Sequence, residues 1–199
     1  MNACIVNYRS GRQSDRLDRI EDNWALEAPE IDMRIETEIL VDQSPQAVWA
    51  VLGDQFGEAH TWGSALLHTR GHGKPIADHV CESRSCDIKG MGRIREQLLE
   101  FDPGRFTLEY EVVEGFPFFV ERGVNRWTLV PEGAQATRVR SVATITTSGA
   151  IGMVMAPMLR LQMTGLMRRL LEELKHYVEH GKPHPRKLKA LAARPLARV

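Results

Sequence analysis

The sequence predicts an α+β domain in which a curved, seven-stranded antiparallel sheet wraps one long C-terminal helix, with two short helices after the first strand. Three observations predict it. From residue 32 to residue 147, strand-like runs follow one another across short turns rich in Gly, Pro and Asp, the pattern of an antiparallel meander. From Leu159 to Tyr177, apolar residues recur at steps of three and four, the pattern of one long amphipathic helix. Seven strands and a single such helix cannot pair as a sandwich, so the economical arrangement curls the sheet around the helix.

The elements follow in order. Residues 1–30 are rich in charge and sustain no period along their length; they are expected to form an arm, partly disordered, with a short helix near Asp15–Trp24. From Asp32, the residues Met33, Ile35, Thr37, Ile39 and Val41 alternate with Arg34, Glu36, Glu38 and Leu40, which marks a half-buried strand. Ser44 is a good N-cap, Pro45 suits the first helical position, and Val48, Trp49 and Leu52 form an apolar stripe. Gly53 is expected to end that helix in a left-handed conformation. A second short helix or turn covers Asp54–His60 and leads to Trp62.

Strand-like runs then occupy 65–71, 80–88, 93–101, 106–113, 122–130 and 136–147. Gly73-Lys74-Pro75, Lys89-Gly90, Asp102-Pro103-Gly104 and Pro131-Glu132-Gly133 punctuate them, and Ser148-Gly149 ends the last. The final helix is expected over Met153–His180, with Pro157 near its start and Gly181 and Pro183 closing it. Arg160, Arg168, Glu172, Lys175 and Glu179 fall largely away from its apolar face. The domain is thus expected over residues 31–181, with residues 182–199 as a mobile basic tail broken by Pro183, Pro185 and Pro195.

Composition narrows the function classes. The chain has 199 residues, enough for one domain, with 26 basic and 26 acidic residues. Balanced charge gives no global field to select nucleic acid or an anionic membrane, and the basic tail resembles no nucleic-acid motif. Three cysteines, Cys4, Cys81 and Cys86, are too few and odd in number for a disulfide scaffold. Cys4-Ile5-Val6 is too short for the apolar core of a signal peptide, so a cytoplasmic location is expected. The most apolar stretch, Ala150–Leu159, is shorter than the ~18–20 residues that span a bilayer. His60, His68, His72, His79, Cys81 and Cys86 lie close in sequence, but none of their spacings makes a strong zinc motif. There is no phosphate loop, nucleophile elbow or dinucleotide fingerprint, so neither a metal nor a cofactor is expected.

With the elements placed, a family resemblance becomes visible. It rests on the opening strand running into Ser44-Pro45-Gln46-Ala47-Val48-Trp49, then Trp62, Arg84-Ser85-Cys86, Arg95-Glu96-Gln97-Leu98 and Leu108-Glu109-Tyr110. Asn125-Arg126-Trp127-Thr128-Leu129 and the helix closing in Leu170-Leu171-Glu172-Glu173-Leu174-Lys175 complete it. In order and spacing these segments, over roughly residues 32–180, resemble the START-like (SRPBCC) superfamily and within it the bacterial polyketide cyclase/dehydrase and lipid-transport group. The resemblance implies the helix-grip fold and a ligand-sized cavity between sheet and helix. It does not imply one chemistry, because one fold hosts many functions.

Strand parity names the residues expected to face that cavity. Leu108, Tyr110 and Val112 point inward if Thr107, Glu109 and Glu111 face solvent; Asn125, Trp127 and Leu129 point inward with Arg126 and Thr128 outside. Val139, Ser141, Ala143 and Ile145 form the next inward set. Ile94 and Leu98 inward carry Glu96 inward as well, and a carboxylate out of water needs a basic partner, a polar ligand, water or a raised pKa. The resemblance places Arg84, Cys86 and Ile88 toward the cavity, which makes Arg84 the leading partner for Glu96. That pair reads as a structural ion pair, as an anchor for a ligand carbonyl or hydroxyl, or as an acid/base group.

Five of the eight methionines, Met153, Met155, Met158, Met163 and Met167, cluster at the start of the long helix, where flexible thioethers suit an irregular apolar pocket as well as a plain core. Gly115-Phe116-Pro117-Phe118-Phe119 is an apolar turn that reads equally as a lid or as a dimer contact. The expected function is binding of a hydrophobic small molecule, lipid, polyketide-like or aromatic, by a carrier or sensor. Arg84, Cys86, Glu96, Tyr110, Asn125, Trp127, Met163 and Met167 would be its ligand-binding residues. The alternative is an aromatase-type polyketide cyclase/dehydratase with Glu96, Arg84 and Tyr110 as catalytic residues, and a third reading is a partner-binding module with a vestigial cavity. No nucleic acid and no stable membrane insertion are expected; transient membrane contact and a homodimer stay open.

Overall fold

A computed structural model describes residues 29–76 and 80–193. The chain runs β1 (Glu30–Val41), α1 (Pro45–Leu52), a 3₁₀ helix (Phe56–Thr61), β2 (Leu66–Ile76), β3 (Val80–Ile88), β4 (Gly92–Asp102) and β5 (Thr107–Glu114). It continues through β6 (Val120–Pro131), β7 (Thr137–Ser148), α2 (Gly149–His180) and α3 (Pro185–Ala192). The seven strands form one antiparallel sheet in the order β1-β7-β6-β5-β4-β3-β2. After β1 the two short helices carry the chain to the far edge. The β2–β7 meander then returns strand by strand until β7 pairs with β1. α2 follows β7 directly and packs chiefly on β1 and β7. This is the helix-grip architecture expected from the strand pattern.

Local chemistry explains the element boundaries. Ser44 Oγ accepts from the Ala47 N–H at 3.3 Å and Pro45 opens α1, so the cap works as expected. Gly53 does not: it caps α1 with φ −88°, in the right-handed region. Glycine is required there by space, since a Cβ would lie 2.4 Å from the Trp49 ring. At the β4–β5 turn, the Asp102 carboxylate accepts from the Arg105 N–H at 3.0 Å, a side-chain-to-backbone bond of the kind that fixes turns.

α2 begins four residues earlier than the sequence suggests and carries Pro157 inside it. Pro157 is the ninth residue of α2; it has no N–H to give to the carbonyl four residues earlier, so the helix continues past it with one backbone hydrogen bond missing. At its other end Gly181 takes φ 63° and donates its N–H to the Tyr177 carbonyl at 2.8 Å. By length and composition α2 could cross a membrane, with mean hydropathy 1.2 over 18 residues, of which only 17% are buried. Its packing under the sheet makes it the helix of this domain; its low burial leaves an apolar face uncovered.

The basic segment read as a mobile tail is helical over Pro185–Ala192, and Lys187 is buried. Its ammonium donates to the carbonyls of Gly63 and Leu66 at 3.1 and 2.9 Å. The helix expected near Asp15–Trp24 lies outside the described residues. Thr107, expected on the solvated face, is buried instead, with its hydroxyl turned to the Arg105 carbonyl.

Two apolar clusters fill the interior. The larger joins α1, the 3₁₀ helix and the inward faces of β3–β7 to the second half of α2, through Leu170, Leu171 and Leu174. The smaller joins β1, β6 and β7 to Ala156 near the start of α2. The site lies between them.

Candidate functional site

The inward parity of β3, β4, β5 and β6 brings four polar side chains onto one face of the sheet in a diagonal row, because Glu96 faces Val112 and Tyr110 faces Leu98 across β4 and β5. Arg84 and Glu96 are register partners, as are Tyr110 and Asn125. Arg84 Nε donates to Glu96 Oε2 at 2.5 Å, and the two residues are 6% and 5% exposed. The guanidinium also donates to the Phe56 carbonyl at 2.5 Å and lies 3.9 Å over the Phe56 ring, with the Tyr110 ring 5.2 Å away. Arg84 is thus held by a carboxylate, a carbonyl and an aromatic face at once.

Further along the row, Asn125 donates to Tyr110 Oη at 3.1 Å, and Ser141 donates to Asn125 Oδ1 at 2.9 Å. The Met167 sulfur of α2 lies 3.6 Å from the Asn125 amide nitrogen, so helix and sheet meet at the end of the row.

Two hollows adjoin one another, and the polar row borders the inner one. The inner one, about 80 Å³, is walled by apolar side chains such as Trp62, Leu66, Ile94 and Leu170, with Arg84, Glu96, Tyr110 and Asn125 at one side. The outer one, about 450 Å³, opens between the β5–β6 loop and the first half of α2, against Pro117, Phe119, Met155, Met158 and Leu159. Met91, Phe116, Ile145 and Met163 wall both. Phe116 reaches this partition because Gly123 has no side chain: a Cβ there would sit 2.5 Å from the Phe116 ring. Of the apolar β5–β6 loop, then, Phe116 turns inward and Phe118 stands 80% exposed.

Electrostatics set what the row can do. Burial works against the charge on Arg84, but Glu96, Cys86 and Tyr110 overcome it and push the guanidinium pKa up. Burial, with Glu96 adding to it, pushes the Tyr110 phenol up to about 12 against the opposing pull of Arg84. Burial also pushes the Cys86 thiol up to about 12, again against Arg84. Both therefore keep their protons at neutral pH. Tyr110 accepts from Asn125 and retains its hydroxyl hydrogen to donate. The hydrogen bonds to Glu96 from Arg84 and Cys86 both land on Oε2, which leaves Oε1 to accept.

Of the residues expected to bind a ligand, Arg84, Glu96, Tyr110, Asn125, Trp127, Met163 and Met167 line the inner hollow. The Cys86 thiol lies 3.4 Å from Glu96 Oε2 and is buried. Among the described residues no three His, Cys, Asp or Glu side chains come together in a way that could hold a metal. His79 lies outside them. His60 instead meets the Thr69 hydroxyl at 2.5 Å, and His72 meets Ser85 at 3.0 Å.

Sequence reasoning missed three features. Phe56 supplies both a carbonyl and a ring to Arg84; its only signal is an apolar residue in a short helix. Among the described residues the Trp62 indole N–H is buried without a partner, in a side chain that walls the inner hollow. Glu173, fully buried on α2, accepts from the Ser64 N–H and hydroxyl at 2.7 and 2.6 Å. With Lys187 it fixes the 63–66 segment, and so the wall that carries Trp62, Ala65 and Leu66.

Comparisons with known proteins agree with this geometry. Residues 32–179 match the model of a family described as polyketide cyclase / dehydrase and lipid transport. Among curated proteins, none matches the chain. A START superfamily protein from Mycobacterium smegmatis superposes with a TM-score of 0.63 at 13% identity, over 75% of this chain and 99% of the other. Norcoclaurine synthase from Thalictrum flavum superposes with a TM-score of 0.62 at 13% identity, over 90% of this chain and 99% of the other. The same synthase in complex with dopamine and hydroxybenzaldehyde gives 0.59 at 14% identity, over 89% and 98%. At these identities the likeness is one of fold.

Proposed function

We propose that this chain, which belongs to the polyketide cyclase/dehydrase and lipid-transport family, binds a hydrophobic small molecule bearing a hydroxyl and an acceptor oxygen, as a carrier or sensor. The observation that carries the reading is the chemistry of the hollows. Their walls are apolar, and their free hydrogen-bonding capacity is concentrated in the Tyr110 hydroxyl, Glu96 Oε1 and the unpartnered Trp62 N–H. Apolar burial at about 25 cal/mol per Å² would supply most of the affinity. The two donors and the acceptor would orient the ligand, because a buried polar group left unmatched costs about 1–3 kcal/mol. The inner hollow holds only a small head group, so the body of the ligand would lie in the outer hollow, past Phe116 and Met163.

The cyclase/dehydratase alternative uses the same residues: the cavity would fold a reactive chain, Arg84 would stabilise an enolate, and Glu96 and Tyr110 would move protons. The side-chain chemistry favours the binder. A general acid or base works best with a pKa near the operating pH. Tyr110 is pushed to about 12 and Arg84 is tied to Glu96 and the Phe56 carbonyl, which suits holding an oxygen better than transferring a proton.

The test is thermal denaturation with 2-naphthol, 4-hydroxybenzaldehyde, dopamine and palmitate, paired with naphthalene as a ligand lacking oxygen. A true ligand at a hundredfold its Kd adds about 2.7 kcal/mol to stability, which for a chain of this size raises Tm by roughly 5–10 °C. Trp62→Phe removes one of the two donors and should weaken the preference for oxygen-bearing probes while leaving naphthalene binding intact. If no probe shifts Tm, the binder reading fails. If a bound polyketide-like chain turns over and Glu96→Gln stops turnover without weakening binding, the cyclase reading replaces it.

A further inference from the structure

The first half of α2 carries an apolar stripe facing away from the sheet. Ile151, Val154, Met158 and Leu161 follow at steps of three, four and three, and are 52%, 77%, 45% and 75% exposed. Phe118 extends the patch from the adjoining β5–β6 loop, whose Phe119 carbonyl accepts from the Ser148 N–H just before α2. A contiguous exposed patch of this kind marks a contact surface.

Charge around the stripe selects the partner. Arg168 stands seven residues after Leu161, on the same line of the helix and about 10 Å further along it. Arg160 and Arg169 stand to either side of that line. All three are exposed and in no ion pair among the described residues. No Asp or Glu occurs from Gly149 to Leu171, and Glu172, the next acid, is paired with Arg186. Glu121, which accepts from the Ser148 hydroxyl, lies at the opposite end of the stripe.

An apolar face about 15 Å long that runs into unneutralised arginines has the make-up of a helix lying in the headgroup layer of a bilayer. A second copy of the stripe would bring no carboxylate from this stretch to meet the arginines. An anionic lipid surface offers both an apolar layer and phosphate charge.

We propose that this face of α2 docks on an anionic lipid surface, with Phe118, Val154, Met158 and Leu161 entering the apolar layer and Arg160, Arg168 and Arg169 at the phosphates. The contact is peripheral, since Leu170, Leu171 and Leu174 of the same helix stay packed in the core. Met158 also walls the outer hollow, so docking brings lipid to the edge of that hollow. Docking of this kind does not depend on what the hollows bind.

The experiment is flotation of the full chain with vesicles of equal parts phosphatidylglycerol and phosphatidylcholine, against vesicles of phosphatidylcholine alone. The chain should float with the first, far less with the second, and less with either as salt rises. Each cation near an anionic surface strengthens binding about fivefold, so R168Q/R169Q should weaken it about 25-fold and flatten the salt dependence. V154S/L161S keeps the charge and removes apolar contact; it should weaken binding by about tenfold or more. All four substituted side chains are exposed, and unchanged thermal denaturation of both variants checks that the fold is intact.

Absence of flotation with the phosphatidylglycerol vesicles would overturn the proposal. So would flotation that V154S/L161S leaves unchanged, because another surface would then make the contact, and so would equal flotation with both kinds of vesicle. Light scattering showing a dimer that V154S/L161S dissociates, without flotation, would assign the stripe to a second copy instead.

Discussion

The buried Arg84–Glu96 pair gives the sharpest test of how the site is held. The perturbations are Arg84→Met, Glu96→Leu and the two together. Removing one member leaves an uncompensated charge in a place where both residues are about nineteen-twentieths covered, which costs about 3–5 kcal/mol. Arg84→Met also strips the Phe56 carbonyl of its donor, a further cost of about 1–3 kcal/mol. In the double variant the charge problem disappears; replacing such a pair by apolar side chains is neutral or stabilising by about 1–4 kcal/mol. That gain offsets the orphaned Phe56 carbonyl and leaves stability near that of the unaltered chain. At about 2–4 °C per kcal/mol, Glu96→Leu should therefore lower Tm by roughly 6–20 °C and Arg84→Met by roughly 8–32 °C, and the double change should restore most of it. Urea denaturation followed by circular dichroism, with an unchanged m-value, measures the coupling. If the two single effects add in the double variant, or either single change costs less than about 1 kcal/mol, Glu96 is solvated and the row does not exist as described.

Other expectations concern titration, the partition and the C-terminal clamp. Cys86 and Tyr110 have ordinary values of 9.0 and 10.0, and both are pushed up to about 12 in the folded chain. The folded state binds their protons more tightly, so this stability is fully present below about pH 9 and is lost as pH rises toward 12; urea unfolding between pH 8 and 11 should show the fall, and Cys86→Ala with Tyr110→Phe should flatten it. Phe116→Ala joins the two hollows and should raise the capacity for anilinonaphthalene sulfonate in the folded state, an outcome absent if Phe116 only packs. Lys187→Met removes two hydrogen bonds from a charged donor, at about 1.5–3 kcal/mol each. Amide exchange in residues 63–66 and 185–192 should then accelerate together, while Lys189→Met leaves both unchanged.

What was legible in the sequence follows from which signals are local. Strand parity is local: once Ile94 and Leu98 face inward, the pleat leaves Glu96 no other direction, and the register then sets Arg84 opposite it. The same logic placed Tyr110, Asn125 and Trp127. Parity gives a direction but not a depth: Cys86 is buried with its thiol 3.4 Å from Glu96 Oε2, a contact no periodicity announces. The C-terminal clamp was not legible at all. Lys187 answers to two carbonyls more than 120 residues earlier in the chain, and three prolines with six basic residues otherwise read as a solvated tail. The outward stripe of α2 was hidden for the opposite reason. Where a helix is apolar all round, periodicity shows one buried face and says nothing of the other.

The distribution of these misses bears on function. A chain optimised only for packing would fill the inner hollow and replace the Arg84–Glu96 and Asn125–Ser141 pairs with apolar side chains, since well-packed cores tolerate neither voids nor unmatched donors without cost. Here Trp62, whose buried N–H has no partner among the described residues, and the polar row line the same void. Meanwhile the segment behind that wall is tied down from two helices, by Glu173 on α2 and Lys187 on α3. Local rules are thus broken where a ligand would sit and are compensated immediately outside it, which is the pattern of a site kept at the expense of stability. Releasing the clamp should accordingly impair binding of an oxygen-bearing probe before it unfolds the sheet, because Trp62 loses its position while β3–β7 keep theirs.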